Sequence, residues 1–494
     1  MFFPDLIIRA YAKYINKKNK LWINNPLDAQ QKTFELLIKN GRKTVYGKKH
    51  QFEKIQNYND FKSSVPIVEY EDIKPFISLI RRGEKNILWP GNPIYLCKTS
   101  GTTSGTKFIP ISKESMPFHI KCAKDAILNY IDRTGNTSSV KGGTIFIQGS
   151  PKLDFSESIP IGRLSGITAH YVPWYLKRNN LPSKKTNLNN DWEKKIDLIV
   201  KETKNKNMSL ISGIPPWVQM YFEKLTKLKK KNVSEIFPNF SLFVYGGVNF
   251  KPYKEVFNRL IGKDVDSVET YPSSEGFIGY QDCEKEGLLL CLDHGIFYEF
   301  IEVSKYLKGD FDRISLKNVK INTDYVIILN TNAGLWGYKI GDTVSFVSTK
   351  PYRILVTGRI KHFTSAFGEH VIGSEVNSAI SKAVKKNNAK IIEFHVAPQV
   401  NPNSGLPFHE WFIEFDVMPV CLIEFAKDLD RFMCNQNSYY NDLIEGNVLR
   451  PLVISCVEKN GFKNYMKSIG KLGGQNKLPR LSNNRLIADK LHLL

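Results

Sequence analysis

Segments with helical periodicity alternate with short apolar runs over most of the chain, and this order limits the possible folds more than any other feature. Apolar residues recur at helical spacing in 28–40, 113–132, 191–206 and 217–231. Between these segments lie short apolar runs such as "GTIFIQG", "MSLISGI" and "FSLFVYGG". Because strands that alternate with helices usually form a mainly parallel sheet, we predict an α/β fold.

Residues 296–357 depart from this alternation. Several strand-like runs follow one another there with turns and little helix between them, which indicates a small antiparallel or barrel-like subdomain. After "VTGR" the helical pattern returns in 372–385 and 422–436, with strand-like "IIEFHVAP" and "EWFIEF" between the two helices. The chain therefore contains a second helix-and-strand unit after the antiparallel stretch.

The length of 494 residues exceeds what one compact core usually supports. Since the pattern changes after "VTGR", we place a domain boundary near Arg359. We expect a large N-terminal domain, 1–358, and a small C-terminal domain, 359–494.

The charge and cysteine content narrow the class of protein. The net charge is +22, but the lysines are spread along the chain, so we expect no nucleic-acid partner. The seven cysteines form no C-x-x-C pair, which favours a reduced, cytoplasmic environment.

No run of about 20 apolar residues occurs, so we expect no integral membrane association. We also expect a monomer.

The first residues of the chain have the pattern of an amphipathic helix. Apolar side chains at helical spacing are Leu6, Ile7, Ala10, Tyr11, Tyr14 and Ile15. We expect a helix docked on the protein through this face, with a membrane-surface anchor as the alternative.

The stretch "KTSGTTSGTKFIP", 98–110, combines glycines, hydroxyl side chains and a lysine. It follows strand-like "PIYLCKTS" and precedes the segment with helical periodicity, so we predict a strand-to-helix loop. Gly101 and Gly105 let backbone amides approach an anion closely, and Lys107 adds positive charge. The spacing is not that of a Walker loop. We interpret the stretch as a binding site for nucleotide phosphates; a surface turn without function is the alternative.

Two later segments place carboxylates after strand-like runs. In "ETYPSSEGF", Glu275 can serve as a Mg²⁺ ligand beside phosphate oxygens, or simply cap the next element. In "WGYKIGDTVSF", Asp342 can accept hydrogen bonds from both hydroxyls of a ribose, or be an ordinary turn residue. The three segments together predict an ATP site with Mg²⁺.

Taken in order, "TSGTTSGTKFIP", "YPSSEG" and "YKIGD" resemble the three nucleotide motifs of the GH3 acyl acid-amido synthetases, a branch of the adenylate-forming superfamily. The similarity runs from "YGKKHQF" to "GGQNKLPR". It implies that a carboxylic acid reacts with ATP to give an acyl-adenylate, and that an amino acid then displaces AMP to give an amide. It also implies an N-terminal domain of two βαβ subdomains plus a β-barrel, and a mobile C-terminal domain.

The resemblance also implies roles for particular residues. The phosphate loop would comprise Ser100, Gly101, Thr102, Thr103, Ser104, Gly105 and Lys107. Glu275 would bind the metal and Asp342 the ribose. The residues on the adenine side would be Tyr271, Ser273 and Ser274, together with Tyr245, Gly246 and Gly247 of "VYGGVNF".

The segment after residue 358 would supply the hinge and a catalytic lysine. Arg359 and Lys361 lie where the superfamily has its hinge. A lysine brought in by domain closure would stabilise the charge that develops at the α-phosphate, and the resemblance favours Lys477, with Lys471 as the alternative. His370 stands where plant members have a phosphate-reaching lysine, which leaves its role open.

Two other functional classes remain open from the sequence. The chain could transfer the acyl group to CoA and form a thioester, since the adenylation step is common to the superfamily. It could also bind a nucleotide without catalysis. The acid itself is not identified, because side chains from distant segments determine the shape of the pocket.

Overall fold

The computed structural model describes the chain from residue 4 to residue 494 with short gaps. The gaps are 103–104, 157–158, 172–178, 190, 248–249, 251–252, 307, 361–362, 365, 370 and 470–477.

The helices that the structure describes are α1 (Asp5–Asn24), α2 (Pro26–Gly41), α3 (Val45–Lys49), α4 (Tyr58–Ser64), α5 (Tyr70–Arg81), α6 (Met116–Thr134), α7 (Leu164–Ala169), α8 (Lys184–Asn187), α9 (Trp192–Thr203), α10 (Pro215–Lys229), α11 (Val233–Ile236), α12 (Lys254–Ile261), α13 (Val303–Tyr306), α14 (Gly373–Lys386), α15 (Leu422–Gln436), α16 (Ser438–Glu445) and α17 (Gly461–Ser468).

The described strands are β1 (Tyr95–Thr102), β2 (Gly105–Ile111), β3 (Gly143–Ile147), β4 (Asp154–Ser156), β5 (Ile159–Gly162), β6 (Asn180–Leu181), β7 (Met208–Gly213), β8 (Leu242–Gly246), β9 (Asp266–Pro272), β10 (Phe277–Tyr280), β11 (Leu288–Leu290), β12 (Ile296–Glu302), β13 (Ile314–Ser315), β14 (Asp324–Thr331), β15 (Tyr338–Thr349), β16 (Tyr352–Arg359), β17 (Phe363–Thr364), β18 (Val371–Ile372), β19 (Lys390–Gln399), β20 (Phe408–Val417) and β21 (Val453–Cys456).

The long helices predicted from periodicity are confirmed, and local sequence signals account for their ends. The Asp191 side chain accepts a hydrogen bond from the Lys194 amide and caps the start of α9. Helix α10 begins at Pro215, a position where proline needs no amide partner. Gly135 ends α6 with a φ of 71°, in the left-handed region that favours glycine.

Helix α1 forms as predicted, but our prediction of which face docks on the protein is wrong. Most of that face is exposed: Leu6, Ile7, Tyr11 and Tyr14. The helix docks instead through side chains that include two asparagines. Asn16 donates to Asp132 at 2.8 Å, and Asn19 donates to Asp125 at 3.0 Å, both on α6. The buried face is therefore mixed, and it combines these two asparagines with the apolar side chains of Ala12 and Trp22.

The predicted parallel strands form, but they make up only one part of a larger mixed sheet. Strands β6, β3, β7, β8 and β9 lie side by side in that order and run parallel. Beyond β9 the same sheet continues, but each strand now runs antiparallel to its neighbour. The order of these strands is β10, β11, β16, β15, β14, β12 and β13. The antiparallel prediction for 296–357 is thus correct. The barrel is not confirmed, because these strands extend the sheet that carries the parallel part.

The glycine-rich stretch is part of a β-hairpin, so the predicted strand-to-helix loop is wrong. Residues 105–111 pair antiparallel with β1, with Thr99 opposite Lys107 and Thr102 opposite Gly105. The segment "KFIPI" is extended because it pairs with β1 along its whole length. Helix α6 begins only at Met116.

A smaller C-terminal domain follows the large sheet. Strands β19, β20 and β21 form a separate sheet, and α14 and α15 pack beside it. The apolar cluster of this domain is continuous with side chains from β7, β8 and α10. On another side, the Tyr439 hydroxyl of α16 donates to the Lys98 carbonyl of β1 at 3.1 Å. The C-terminal domain therefore contacts the strand that leads into the glycine-rich hairpin.

Candidate active site

Lys107 lies on β2, two residues after the start of the strand. Its ammonium is 5.8 Å from the ring centre of Tyr70, and the Tyr70 hydroxyl accepts a hydrogen bond from the Phe108 amide at 2.9 Å. These contacts with α5 hold the second strand of the hairpin in place. Ser100, Gly101, Thr102 and Gly105 belong to the paired strands, whereas Thr103 and Ser104 lie outside the described residues.

The turn between β9 and β10 carries Glu275 to the same region. The Ser273 hydroxyl donates to the Glu275 carboxylate, and the amides of Ser273 and Gly276 close a tight turn around it. The Cys97 thiol of β1 donates to the Ser274 hydroxyl at 3.1 Å. Because β1 runs directly into the hairpin, this contact places the proposed metal-binding turn beside the proposed phosphate loop.

Cys97 is fully buried where the two segments meet. Burial raises the pKa of its thiol to about 12, and the nearby Glu275 carboxylate acts in the same direction. The thiol is therefore protonated at neutral pH and serves as a hydrogen-bond donor. Nothing in the sequence indicated this contact, because a lone cysteine in a strand forms no recognisable pattern.

Asp342 lies on β15 and is buried. It accepts a hydrogen bond from the Tyr271 hydroxyl at the end of β9. Its partner across the antiparallel pair β15–β16 is Arg359, the last residue of β16. The second and third motifs are thus in direct contact, and the proposed hinge begins beside them.

The loop after β8 approaches β9 closely. The Thr270 hydroxyl donates to the Tyr245 carbonyl at 2.9 Å. A side chain at Gly246 would collide with the Thr270 carbonyl oxygen, so only glycine fits there. Gly247 has a φ of 84°, which also favours glycine. The two glycines therefore bring this loop to the carboxyl ends of the parallel strands, where α/β proteins bind ligands.

Several predicted residues cannot be located. Lys477, Lys471, Lys361 and His370 lie outside the described residues, and for Arg359 only the backbone is described.

The segment just before His370 is held in place by side chains from two other parts of the chain. The buried Glu369 carboxylate contacts His409 Nε2 at 2.8 Å and accepts a hydrogen bond from the Phe367 amide at 2.8 Å. The Tyr253 hydroxyl donates to the Ala366 carbonyl. Glu369 was not predicted as an anchor, because its histidine partner lies 40 residues further along the chain.

A second contact that was not predicted from the sequence joins the two domains. Arg163 forms an ion pair with Asp442 of α16, and its guanidinium lies 4.7 Å from the ring centre of Tyr439. Since Tyr439 also donates to the Lys98 carbonyl, these contacts connect the C-terminal domain with the first strand of the glycine-rich hairpin.

The residues that the structure describes are compatible with ATP and Mg²⁺. Asp342 offers a buried carboxylate of the kind that accepts ribose hydroxyls, and Lys107 offers a cation on the hairpin strand. Glu275 is half-buried and held by Ser273, so it can supply one carboxylate oxygen. Mg²⁺ usually takes one or two carboxylates and completes its shell with phosphate oxygens and water.

In the part of the chain that the structure describes, no helix combines the length and apolar character needed to cross a bilayer.

Known proteins resemble this chain over most of its length. The jasmonoyl-L-amino acid synthetase JAR4 of Nicotiana attenuata is 22% identical over 462 residues, which cover 80% of this chain and 76% of the relative. The structure of the acyl acid amido synthetase AtGH3.15 in complex with 2,4-DB is 15% identical and covers 100% of this chain and 98% of its own, with a TM-score of 0.62. A 2-hydroxyisobutyryl-CoA ligase with 2-HIB-AMP and CoA, in the thioesterification state, gives a TM-score of 0.58 at 12% identity, over 93% of this chain and 90% of its own.

Three family models match successive parts of the chain. The GH3 family N-terminal domain matches residues 17–184, the central domain matches 289–359, and the C-terminal domain matches 374–486. Together these matches cover more than half of the chain and include the glycine-rich hairpin, Asp342 and the small C-terminal domain. This chain belongs to the GH3 family.

Proposed function

We propose that this protein is an AMP-forming acyl acid-amido synthetase. In the first step, an oxygen of a carboxylic acid attacks the α-phosphorus of ATP, the bond to pyrophosphate breaks, and an acyl-adenylate forms. In the second step, the amino group of an amino acid attacks the acyl carbon, AMP leaves, and the nitrogen loses a proton. Membership of the GH3 family and the amide-forming relatives support this assignment.

The main structural support for the proposal is the contact between motifs that are far apart in the sequence. Tyr271 donates to Asp342, and Cys97 donates to Ser274. These two hydrogen bonds bring the phosphate hairpin, the turn with Glu275 and the ribose carboxylate to one site. Separate surface turns would have no reason to converge in this way.

We assign the roles as follows. Lys107 and the hairpin backbone stabilise negative charge on the phosphates, and Asp342 binds the ribose hydroxyls. Glu275 would hold Mg²⁺, which would neutralise phosphate charge when bound. The loop containing Gly246 and Gly247 would lie against the adenine, with Tyr245, Tyr271, Ser273 and Ser274 on the same side.

The C-terminal domain, which we take to begin at Arg359, rotates between the two steps in this proposal. One site must first shield the adenylate from water and then admit an amine to the same carbonyl. Lys477 would stabilise the α-phosphate during the first step. The contact between Arg163 and Asp442 would then form in one arrangement of the domains and break in the other.

The absence of paired cysteines fits a cytoplasmic enzyme: all seven cysteines have free thiols. We propose that it acts there as a monomer on small molecules.

The first step can be tested with a panel of carboxylic acids. ATP, Mg²⁺ and labelled pyrophosphate are incubated with each acid, and exchange of label into ATP is measured. The proposal predicts exchange that depends on the acid and is lost in Asp342→Ala. If no acid supports exchange while ATP still binds, the protein is a nucleotide-binding protein without this chemistry.

A further inference from the structure

A buried cluster of two thiols and an imidazole lies outside the proposed active site. Cys122 belongs to α6, Cys291 follows β11, and His294 lies in the turn before β12. The ligand atoms of the three side chains all lie within 4.8 Å of one another, and all three residues are buried. Sulfur and imidazole nitrogen at this separation are the donors that structural zinc sites use.

His294 is held in a defined orientation. Its ring stands edge-on to Trp22 at 5.7 Å and to Phe118 at 5.5 Å between ring centres. Nε2 lies 3.1 Å from the Lys121 ammonium, and because an ammonium can only donate, Nε2 presents its lone pair. Nδ1 lies 2.5 Å from an oxygen of Asp293. Metal-bound histidines commonly have such a carboxylate at their second nitrogen.

The surroundings contain buried polar atoms that lack hydrogen bonds. Asp125 is almost fully buried, and Oδ2 is bound by Asn19 and Lys121, but Oδ1 has no partner. The Tyr298 hydroxyl is also buried without a partner. Unpaired buried polar atoms are uncommon in folded proteins, because each loses its hydration without compensation. A bound cation with its water would supply the missing partners.

The charge of the cluster also suits a divalent ion. Two neutral thiols become thiolates when they bind a metal, so an ion of charge +2 replaces two protons and leaves the net buried charge unchanged. Lys121 is the one competing cation near His294 among the described residues. Its ammonium also binds Asp125 at 2.6 Å and Asn19 at 3.2 Å, so it keeps these two partners when a metal takes the lone pair of Nε2.

We propose that Cys122, Cys291 and His294 bind one divalent transition-metal ion of the zinc type, with water as the fourth ligand. Zinc suits mixed thiolate and imidazole donors better than Mg²⁺ or Ca²⁺ does. The ion would join α6, the helix that follows the phosphate hairpin, to the turn between β11 and β12. The ion is separate from the Mg²⁺ that would accompany ATP.

The first test measures metal in the full-length protein. The chain is purified without chelators, its zinc content is measured by mass spectrometry, and the stripped protein is titrated with Co²⁺. We expect about one zinc per chain and a thiolate-to-cobalt charge-transfer band. Co²⁺ at a carboxylate and phosphate site would give no such band, so the spectrum distinguishes this site from the nucleotide site.

Variants identify the ligands. Cys122→Ser and Cys291→Ser should lose the bound zinc and the cobalt band, whereas the control Cys456→Ser, on β21, should keep both. Asp293→Asn leaves the three ligands in place and should weaken zinc binding by about 10- to 100-fold. Chelation should lower the melting temperature of the wild type and leave that of folded Cys122→Ser unchanged.

Three results would overturn the proposal. The first is wild-type protein that retains no zinc and gives no charge-transfer band with Co²⁺. The second is unchanged metal content in folded Cys122→Ser. The third is a disulfide between Cys122 and Cys291 that forms under mild oxidation at the same rate with and without added zinc, which would make the pair a redox site. If the cysteine variants fail to fold, two other measurements decide whether the site binds zinc: the cobalt spectrum of the wild type and the zinc affinity of Asp293→Asn.

Discussion

The Tyr271 hydroxyl donates a hydrogen bond to the Asp342 carboxylate. Tyr271 is the last residue but one of β9, where the parallel part of the sheet stops, and Asp342 lies on β15 in the antiparallel part. The bond therefore joins the two halves of the large sheet at the proposed nucleotide site. It also orients the carboxylate that we assign to the ribose.

Asp342→Asn should weaken binding of ATP more than binding of 2′,3′-dideoxy-ATP. Only ATP has the two hydroxyls that the carboxylate accepts, and charge-assisted hydrogen bonds contribute about 1.5–3 kcal/mol each. Asparagine keeps an acceptor oxygen but loses the charge, which costs about 1 kcal/mol per bond and about 2 kcal/mol for two bonds. We therefore expect a loss of roughly 10- to 100-fold for ATP by isothermal titration calorimetry. Tyr271→Phe, which keeps the carboxylate, should cause a smaller loss with the same ligand preference. Equal losses for the two nucleotides would refute the ribose assignment.

Lys107→Ala and Glu275→Gln should impair ATP turnover without unfolding the protein. Lys107 is partly buried, and its cation–π contact with Tyr70 contributes about 1 kcal/mol, so the melting temperature should change little. Acid-dependent pyrophosphate exchange should fall by about tenfold or more, since each residue acts on the phosphates. Lys113→Ala, an exposed lysine just after β2, is the matched control and should keep full exchange. Strong destabilisation with normal specific activity would make both residues structural.

Lys477→Ala and Lys361→Pro should separate the two half-reactions. Loss of the Lys477 ammonium removes stabilisation of the α-phosphate, so pyrophosphate exchange should fall while consumption of pre-formed acyl-adenylate persists. Proline at 361 restricts the backbone torsion that a hinge must change, so it should impair consumption more than exchange. Both half-reactions are assayed separately for each variant. Equal loss of both in both variants would contradict domain alternation, or would assign the lysine role to Lys471.

Lys195 should make stability depend on pH in the alkaline range. Its ammonium is buried on α9 and donates to the carbonyls of Gln148 at 2.7 Å and Asn187 at 3.0 Å. Burial lowers its pKa from 10.5 to about 8, and the charge of Arg163 acts in the same direction. Between these two pKa values the unfolded chain binds more protons than the folded chain, so the free energy of unfolding increases with pH through this interval.

The comparison with Lys195→Met isolates this contribution. Relative to the variant, the wild type should gain up to about 1.4 kcal/mol of stability per pH unit between about pH 8 and about pH 10. Urea unfolding of both proteins at several pH values measures the difference. A difference that stays constant across the interval would show that Lys195 keeps its ordinary pKa in the folded state.

Periodicity predicted the elements of the fold well where apolar packing determines them. The helix expected at 422–436 is α15, Leu422–Gln436. Helix α1 was predicted with the wrong face because Asn16 and Asn19 dock it by hydrogen bonds to aspartates, which apolar spacing does not detect. The glycine-rich stretch was predicted to enter a helix, but pairing with β1 makes "KFIPI" a strand.

The motifs were visible in the sequence one by one, whereas their contacts were not. No local pattern indicates that Cys97 meets Ser274, or that Glu369 meets His409, since each pair joins distant segments. The cluster of Cys122, Cys291 and His294 has no ligand spacing in the sequence for the same reason. Long-range packing creates these sites, and only the folded chain brings their members together.

The molecule that accepts the acyl group distinguishes an amido synthetase from a CoA ligase. The protein is incubated with ATP, Mg²⁺ and an acid that supports pyrophosphate exchange, and then with each of the amino acids or with CoA. AMP release and the mass of the product are measured together. We predict that an amino acid accelerates AMP release and that the product has the mass of an N-acyl amino acid. Acceleration by CoA alone, with a thioester as the product, would contradict the assignment as an amido synthetase.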